Sequence, residues 1–547
     1  MNTAIFKTYP FVSPHSFVAR TAALIFLLLF LATGAAFSDP RKSLQKGQKA
    51  MRGGDFERAE KIYREILQKD ERNIEAQLGL SKALLKQRHL VDSFDYATRV
   101  LAIDPLSAEA HALMGSALLS AGDFPPSIAE FNTALKLDER NAMAIAGLAM
   151  IDFYENRTLS CLEKMRRAVN LDPEEPDYVF SLGQTAARAE RYREAADTYE
   201  RFLLIAPRTD ADRRARIRGL IDFLRYLGNQ SSLYNLAGAS RSVMPFEALD
   251  NRPILRVRIN GQKELLRFVL DTGSGMSVLS EETAEKLGIK PVARGGLARA
   301  IGGGGRFEIV YGHLDSIELG DVRVENVPVY IRHFFDVHNP VDGYLGIAAL
   351  SRLVTAVDYG TRRLTLVRQR RVEPEIVPGQ PVKQNPDSLD VRPGVDVPVR
   401  TTSSGFLSGE VVIEGIDKPL NFIIDTGATV SVLSERAAAL DQALGFIQPS
   451  RMKVFGAAGV SDDVKTALLP KITIGSYARE RLNAAVLNLE PINETAGFQQ
   501  NGILGGNFLR HFRVVFDFQR AIVRLEPLEL VNSNKENMQW EASRNKQ

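Results

Sequence analysis

The chain has 547 residues, 45% of them apolar and 25% charged, a balance that excludes a disordered chain and a length that predicts more than one hydrophobic core. A net charge of +3, from 69 basic and 66 acidic residues, is too small to imply a phosphate-rich partner, so no nucleic acid is expected. The single cysteine, Cys161, excludes a disulfide within the chain and a cysteine-based metal cluster.

In chain order, Lys7 and Arg20 precede the apolar run 22–32, small residues surround 34–38, and no acidic residue occurs before Asp39. This is a secretory layout, and residues 1–38 are read as a signal peptide or membrane anchor. The apolar stretch 22–37 is short for a full span. The expectation is therefore an exported protein, periplasmic or secreted, with membrane attachment through this segment as the alternative to cleavage.

Within a domain read as 39–228, residues 40–209 repeat every 34 residues in five units, as Asp70, Asp104, Asp138 and Asp172 show. Phe56, Leu90, Phe124, Thr158 and Tyr192 share one register; Ala59, Ser93, Ser127, Cys161 and Ala195 share another. Pro105, Pro173 and Pro207 close units, and Gly47, Gly115 and Gly183 mark a position where two helices must approach closely. The segment resembles the tetratricopeptide repeat in period and in its small-residue, aromatic and proline positions, although the usual early tryptophan is absent. That resemblance implies an all-α superhelix of stacked helix pairs, with a groove expected to take a peptide or protein partner. The run 210–228 reads as a capping helix whose arginines form a solvated face, and Cys161 reads as a packing residue.

After a linker at 229–247 comes the first of two matching halves, 248–371. The second, 400–529, follows a proline-rich linker at 372–399, and a polar tail at 530–547 is expected to be disordered. Asp271-Thr272-Gly273-Ser274 follows Phe268-Val269-Leu270, and Asp425-Thr426-Gly427-Ala428 follows Phe422-Ile423-Ile424; both continue into Ser-Val-Leu-Ser. Gly261 and Gly415 precede as hairpin turns. Ser280 and Ser434 are candidate helix N-caps, with Gly288 and Gly445 as candidate stops. Glycine-bearing turns including Gly302, Gly303, Gly456 and Gly459 are flap candidates. Leu345-Gly346 and Leu504-Gly505 recur further on, each followed by an aspartate that ends an apolar stretch, Asp358 and Asp517.

The repeated aspartate is the informative feature. Two carboxylates within hydrogen-bond reach cannot both ionise; they share a proton, and their pKa values separate. One can then take a proton from water as it attacks a peptide carbonyl while the other protonates the carbonyl oxygen. Neither metal nor cofactor is required. Threonine supplies a short hydroxyl to tie the loops together, and glycine admits close approach of the backbone. Ser274 stands opposite Ala428, and only the serine has a hydroxyl to offer a carboxylate.

Residues 243–527 resemble two tandem copies of the retropepsin-like aspartic protease domain. The resemblance implies two all-β lobes fused in one chain, Asp271 and Asp425 as the catalytic pair, Thr272, Gly273, Ser274, Thr426, Gly427 and Ala428 as its support, and Leu345, Gly346, Leu504 and Gly505 packed behind it. It also implies a peptide or protein substrate. Three competing readings exist. A lone Asp-Thr-Gly is often a polar turn. An aspartyl phosphoryl-transfer site would bring a further carboxylate or a phosphate-cradling loop, and neither motif has one. The third is a non-enzymatic scaffold in which repeats and inactive protease-like lobes are docking surfaces. His333 and His338 lack the spacing of a helical zinc pair.

Overall fold

The computed structural model describes residues 40–302, 306–336, 338–368, 389–390 and 392–528. The signal segment, Gly303, most of the proline-rich linker and the C-terminal tail lie outside these residues. Among the described residues no helix is long and apolar enough to cross a membrane.

The repeat period becomes geometry directly. First helices of successive pairs begin at Pro40, Ile74, Ala108, Ala142 and Pro176, and second helices at Phe56, Leu90, Phe124, Thr158 and Tyr192. Ala59, Ser93, Ser127, Cys161 and Ala195 are all fully buried, where only a small side chain fits between the helices of a pair. A methyl built on Gly115 would lie 2.7 Å from the Phe131 ring, and one on Gly147 would lie 2.1 Å from it. Polar N-caps start several helices, with Asn73, Ser107 and Asn141 each accepting from the amide three residues on. The ends of the array meet. Lys86 of the second unit bridges Glu175 at 2.8 Å and Asp177 at 2.5 Å, and Gly54 of the first unit abuts Pro207 of the last.

The β-rich part is built around a pseudo-twofold. Toward one end of a 13-stranded sheet, Leu353–Asp358 pairs antiparallel with Phe512–Asp517. Outward from that pair lie Arg363–Arg368 then Arg241–Pro245 on one side, and Ile522–Pro527 then Val395–Thr401 on the other. Each lobe thus contributes three strands to one shared layer, and a continuous core of residues from both lobes, including Phe268, Leu345, Phe422, Leu504 and Phe516, fills the space behind it.

Three expectations change. Residues 229–247 are not a bare linker: Asn235–Gly238 pairs with Val322–Arg332, and Arg241–Pro245 is an edge strand of the shared layer. The second lobe likewise begins with Val395–Thr401, inside the expected linker. Gly445 does not stop a helix; Glu435–Ala438 ends at Ala439, and Gly445 lies in a 3₁₀ turn, Asp441–Phe446. Gly288 does follow Glu281–Lys286, with φ of +67°.

The helix Ala211–Leu227 also departs from a solvated cap. Its Ile217, Ile221 and Leu224 bury against the last repeat, but Gly219 lies directly on strand Ala293–Arg299, where a methyl would come 2.1 Å from the Arg294 carbonyl oxygen. Arg216 donates to Leu297 O at 2.8 Å, and Asp212 pairs with Arg306 at 2.6 Å. The repeats dock on the second lobe as well. Phe498 inserts between Phe124 and Tyr154 with ring centroids 5.0 Å from each, Gln499 N donates to Ser120 O, and Arg188 donates to Thr402 O. The repeat module and the lobes therefore share buried contacts.

Candidate active site

Each aspartate ends a buried strand, Leu266–Leu270 or Leu420–Ile424, whose neighbour is a short parallel strand, Gly343–Leu345 or Gly502–Leu504. The Asp271 amide donates to Leu345 O and the Asp425 amide to Leu504 O, both at 3.0 Å. Leu345 and Leu504 are fully buried. The Gly346 and Gly505 amides donate to the Ser277 and Ser431 hydroxyl oxygens, both at 3.1 Å. Thus each aspartate is held from behind by the glycine-bearing motif and from the side by the Ser-Val-Leu-Ser strand.

The two threonines join the lobes through four buried hydrogen bonds. Thr272 Oγ1 donates to Ile424 O at 2.8 Å and accepts from Thr426 N at 3.0 Å; Thr426 Oγ1 donates to Leu270 O at 2.6 Å and accepts from Thr272 N at 3.2 Å. Each hydroxyl reaches the strand of the other lobe. The carboxyl groups are then brought together, each lying against the glycine of the opposite lobe's Asp-Thr-Gly loop. The glycines make this approach feasible, since a methyl on Gly273 would lie 2.3 Å from Asp425 Oδ2 and one on Gly427 would lie 2.5 Å from Asp271 Oδ1.

The pair is electrostatically unequal. Burial and then the neighbouring Asp425 push Asp271 well above the ordinary carboxylate range. Burial also raises Asp425, but the Asp271 carboxyl group and the amides of Gly427, Ala428 and Gly273 oppose that rise. Gly427 N reaches Asp425 Oδ1 at 2.7 Å and Ala428 N reaches it at 3.2 Å, whereas Asp271 Oδ1 receives Gly273 N at 3.0 Å. Two amides thus point at Asp425 and one at Asp271, an arrangement that favours the negative charge on Asp425 within the coupled pair. Ser274 does not take the supporting role expected of it. Its hydroxyl donates to Met276 O at 2.7 Å, and its amide turns to the Asp271 carbonyl.

Two hairpins carry the flap candidates. The arms Ala293–Arg299 and Arg306–Leu319 belong to the first lobe, and Ile447–Gly456 and Gly459–Ile474 to the second. Their tips touch: Ala458 N donates to Ile301 O at 3.1 Å, Gly302 stacks on Gly456 and Gly459, and a methyl on Gly456 would lie 2.2 Å from Ile301 O. Sequence reasoning missed Ile301, at the tip contact, and Arg332, which donates to Ala457 O at 3.4 Å.

The aspartyl protease family profile matches residues 255–349 and again 409–508, and a tetratricopeptide repeat profile matches 44–108 and 159–212. The chain carries two tandem retropepsin-like aspartyl protease segments behind N-terminal tetratricopeptide repeats. Comparison with curated proteins finds no match. Among solved structures the chain is similar to a thermophilic tetratricopeptide repeat protein of Thermus thermophilus, with 16% identity over 34% of this chain and 99% of that one and a TM-score of 0.30. It is also similar to MamA from Desulfovibrio magneticus, with 22% identity, 31% and 97% coverage and a TM-score of 0.23. A third is YrrB, a tetratricopeptide repeat protein with an unusual peptide-binding site, with 17% identity, 33% and 93% coverage and a TM-score of 0.21.

Proposed function

We propose that the chain is an aspartic endopeptidase in which Asp271 and Asp425 form one dyad. The observation that carries this reading is the junction at which the threonines bind each lobe to the other and each carboxyl group lies against the opposite lobe's Asp-Thr-Gly glycine. In the proposed reaction Asp425 takes a proton from the attacking water, and Asp271 donates its proton to the carbonyl oxygen of the scissile peptide bond. The tetrahedral intermediate then collapses as the leaving amine is protonated. Thr272 and Thr426 fix the spacing, and the flap tips close over the peptide. The test is hydrolysis of a peptide mixture by the purified chain and by Asp271→Asn and Asp425→Asn. Cleavage by the wild type that either substitution abolishes supports the reading; absence of cleavage refutes it in favour of a docking scaffold, and cleavage that survives both substitutions refutes the dyad.

Two further roles belong to the same proposal. The repeats present a protein or peptide segment to the lobes, as their family resemblance implies. The N-terminal segment 1–38 directs export to the periplasm or medium, either cleaved or retained as an anchor. Fractionation of expressing cells with N-terminal mass analysis of the mature chain decides this, and a cytoplasmic chain that keeps Met1 would overturn it.

A further inference from the structure

The two sides of the cleft differ at positions that the pseudo-twofold makes equivalent. Strand Val322–Arg332 runs parallel to Ser277–Ser280 with Arg332 opposite Ser280. Strand Tyr477–Leu487 runs parallel to Ser431–Ser434 with Leu487 opposite Ser434. Arg332 and Leu487 thus correspond, as do Tyr344, opposite Val278, and Ile503, opposite Val432. On the second lobe Leu487 and Ile503 belong to an apolar cluster that also packs Ala428 of the dyad loop and Ile301 of the opposite flap tip. On the first lobe the same place holds a guanidinium and a phenol.

Arg332 is poorly served by the described residues. Its guanidinium carbon lies 5.8 Å from the ring centres of both Phe307 and Phe334, Nη1 makes the long bond to Ala457 O, and Nε is out of solvent without a hydrogen-bond partner among them. Nearby carboxylates pair elsewhere: Asp336 faces Arg252, and Glu282 faces His333. Among the described residues no carboxylate forms a salt bridge with Arg332, and Asp271 acts on it only at longer range. A desolvated cation without an anion is unfavourable in the free protein and is a strong acceptor of one from a ligand. A planar guanidinium fork matches a carboxylate through two parallel hydrogen bonds. Its hydrogen bond to the flap ends on a backbone carbonyl at the tip that must lift to admit a peptide.

We propose that Arg332 forms an acid-selective subsite, so that the cleft prefers peptides with an acidic side chain on the first lobe's side of the scissile bond and an apolar one on the second lobe's side. This rests on the peptidase reading above. The acidic residue would replace the Ala457 carbonyl as the partner of Arg332, while Leu487 and Ile503 line the apolar subsite.

The test is kcat/KM for matched peptides that differ only in Glu, Gln, Leu or Lys at positions flanking the scissile bond. Wild type is expected to favour Glu over Gln by roughly ten-fold or more at one position. Arg332→Lys should keep the preference for Glu, Arg332→Leu should remove it, and Arg332→Glu should shift it toward Lys. A merely structural arginine would not produce that reversal. Wild-type cleavage without an acid preference, or a preference unchanged in the Leu and Glu variants, overturns the subsite and leaves the peptidase reading standing. No cleavage of any peptide by the wild type overturns both.

Discussion

Thr272→Val isolates the device that holds the two lobes in register. Valine keeps the shape and the methyl group but removes the hydroxyl, so Ile424 O loses its 2.8 Å donor and Thr426 N its 3.0 Å acceptor. Both orphaned groups are in a region where Thr272 and Thr426 are essentially inaccessible to water. Each buried unsatisfied group is worth about 1–3 kcal/mol, so the variant should lose about 2–6 kcal/mol. Thr426→Val should lose a similar amount through Leu270 O and Thr272 N, and the double variant should lose less than the sum because the four bonds form one network. Thr272→Ser keeps the hydroxyl and serves as the control. Urea unfolding followed by the β signal in circular dichroism gives the stabilities, and peptide hydrolysis should fall by about two orders of magnitude as the carboxylates lose their spacing. A Thr272→Val variant within about 0.5 kcal/mol of wild type and equally active would refute the role assigned to these bonds.

Other outcomes follow from the same geometry. Because the folded-state pKa of Asp271 is raised above the ordinary value of 3.8, the native state binds that proton more tightly than the unfolded chain; the resulting stability is present below that value and is lost as pH rises through the raised pKa. Asp271→Asn should therefore gain stability relative to wild type between pH 4 and pH 7 in thermal melts, and a relative loss over that window contradicts the protonation assignment. Gly273→Ala should reduce hydrolysis at least about a hundred-fold, because its methyl would lie 2.3 Å from Asp425 Oδ2 and displace that carboxyl group; an active variant with unaltered kinetics contradicts the close approach. Phe498→Ala should lose about 3–5 kcal/mol, since that fully buried ring closes the contact between repeats and second lobe; a neutral effect on urea unfolding would make the docking incidental.

The repeats and the dyad were legible in sequence because each is written more than once. A fixed period puts Ala59, Ser93, Ser127, Cys161 and Ala195 in one environment, and two Asp-Thr-Gly motifs with matched flanks define a pair. What escaped is written once and depends on tertiary partners. Strand Arg241–Pro245 is five residues long, and its alternation of exposed and buried positions is too brief to distinguish from a linker. The second face of helix Ala211–Leu227 sets Gly219 among arginines beside Phe223 and Leu227, and it gains meaning only when strand Ala293–Arg299 and Tyr311 lie on it. The Ser274 hydroxyl finds a carbonyl two residues away before it can reach a carboxylate, so residue type alone misassigned it. Arg332 was out of reach: aligning the halves on their Leu-Gly motifs sets it against Pro491, and only the parallel pairing of each Ser-Val-Leu-Ser strand makes it the counterpart of Leu487.

The central claim is that two lobes of one chain make one site. Isothermal titration of a pepstatin-type peptide, whose hydroxyl sits between two carboxyl groups, measures this most directly in wild type, Asp271→Asn and Asp425→Asn. The expected result is one inhibitor per chain in wild type and at least about a hundred-fold weaker binding in each variant, as for groups that act as a unit. Two inhibitors per chain, or wild-type affinity in Asp425→Asn, would contradict a single shared dyad.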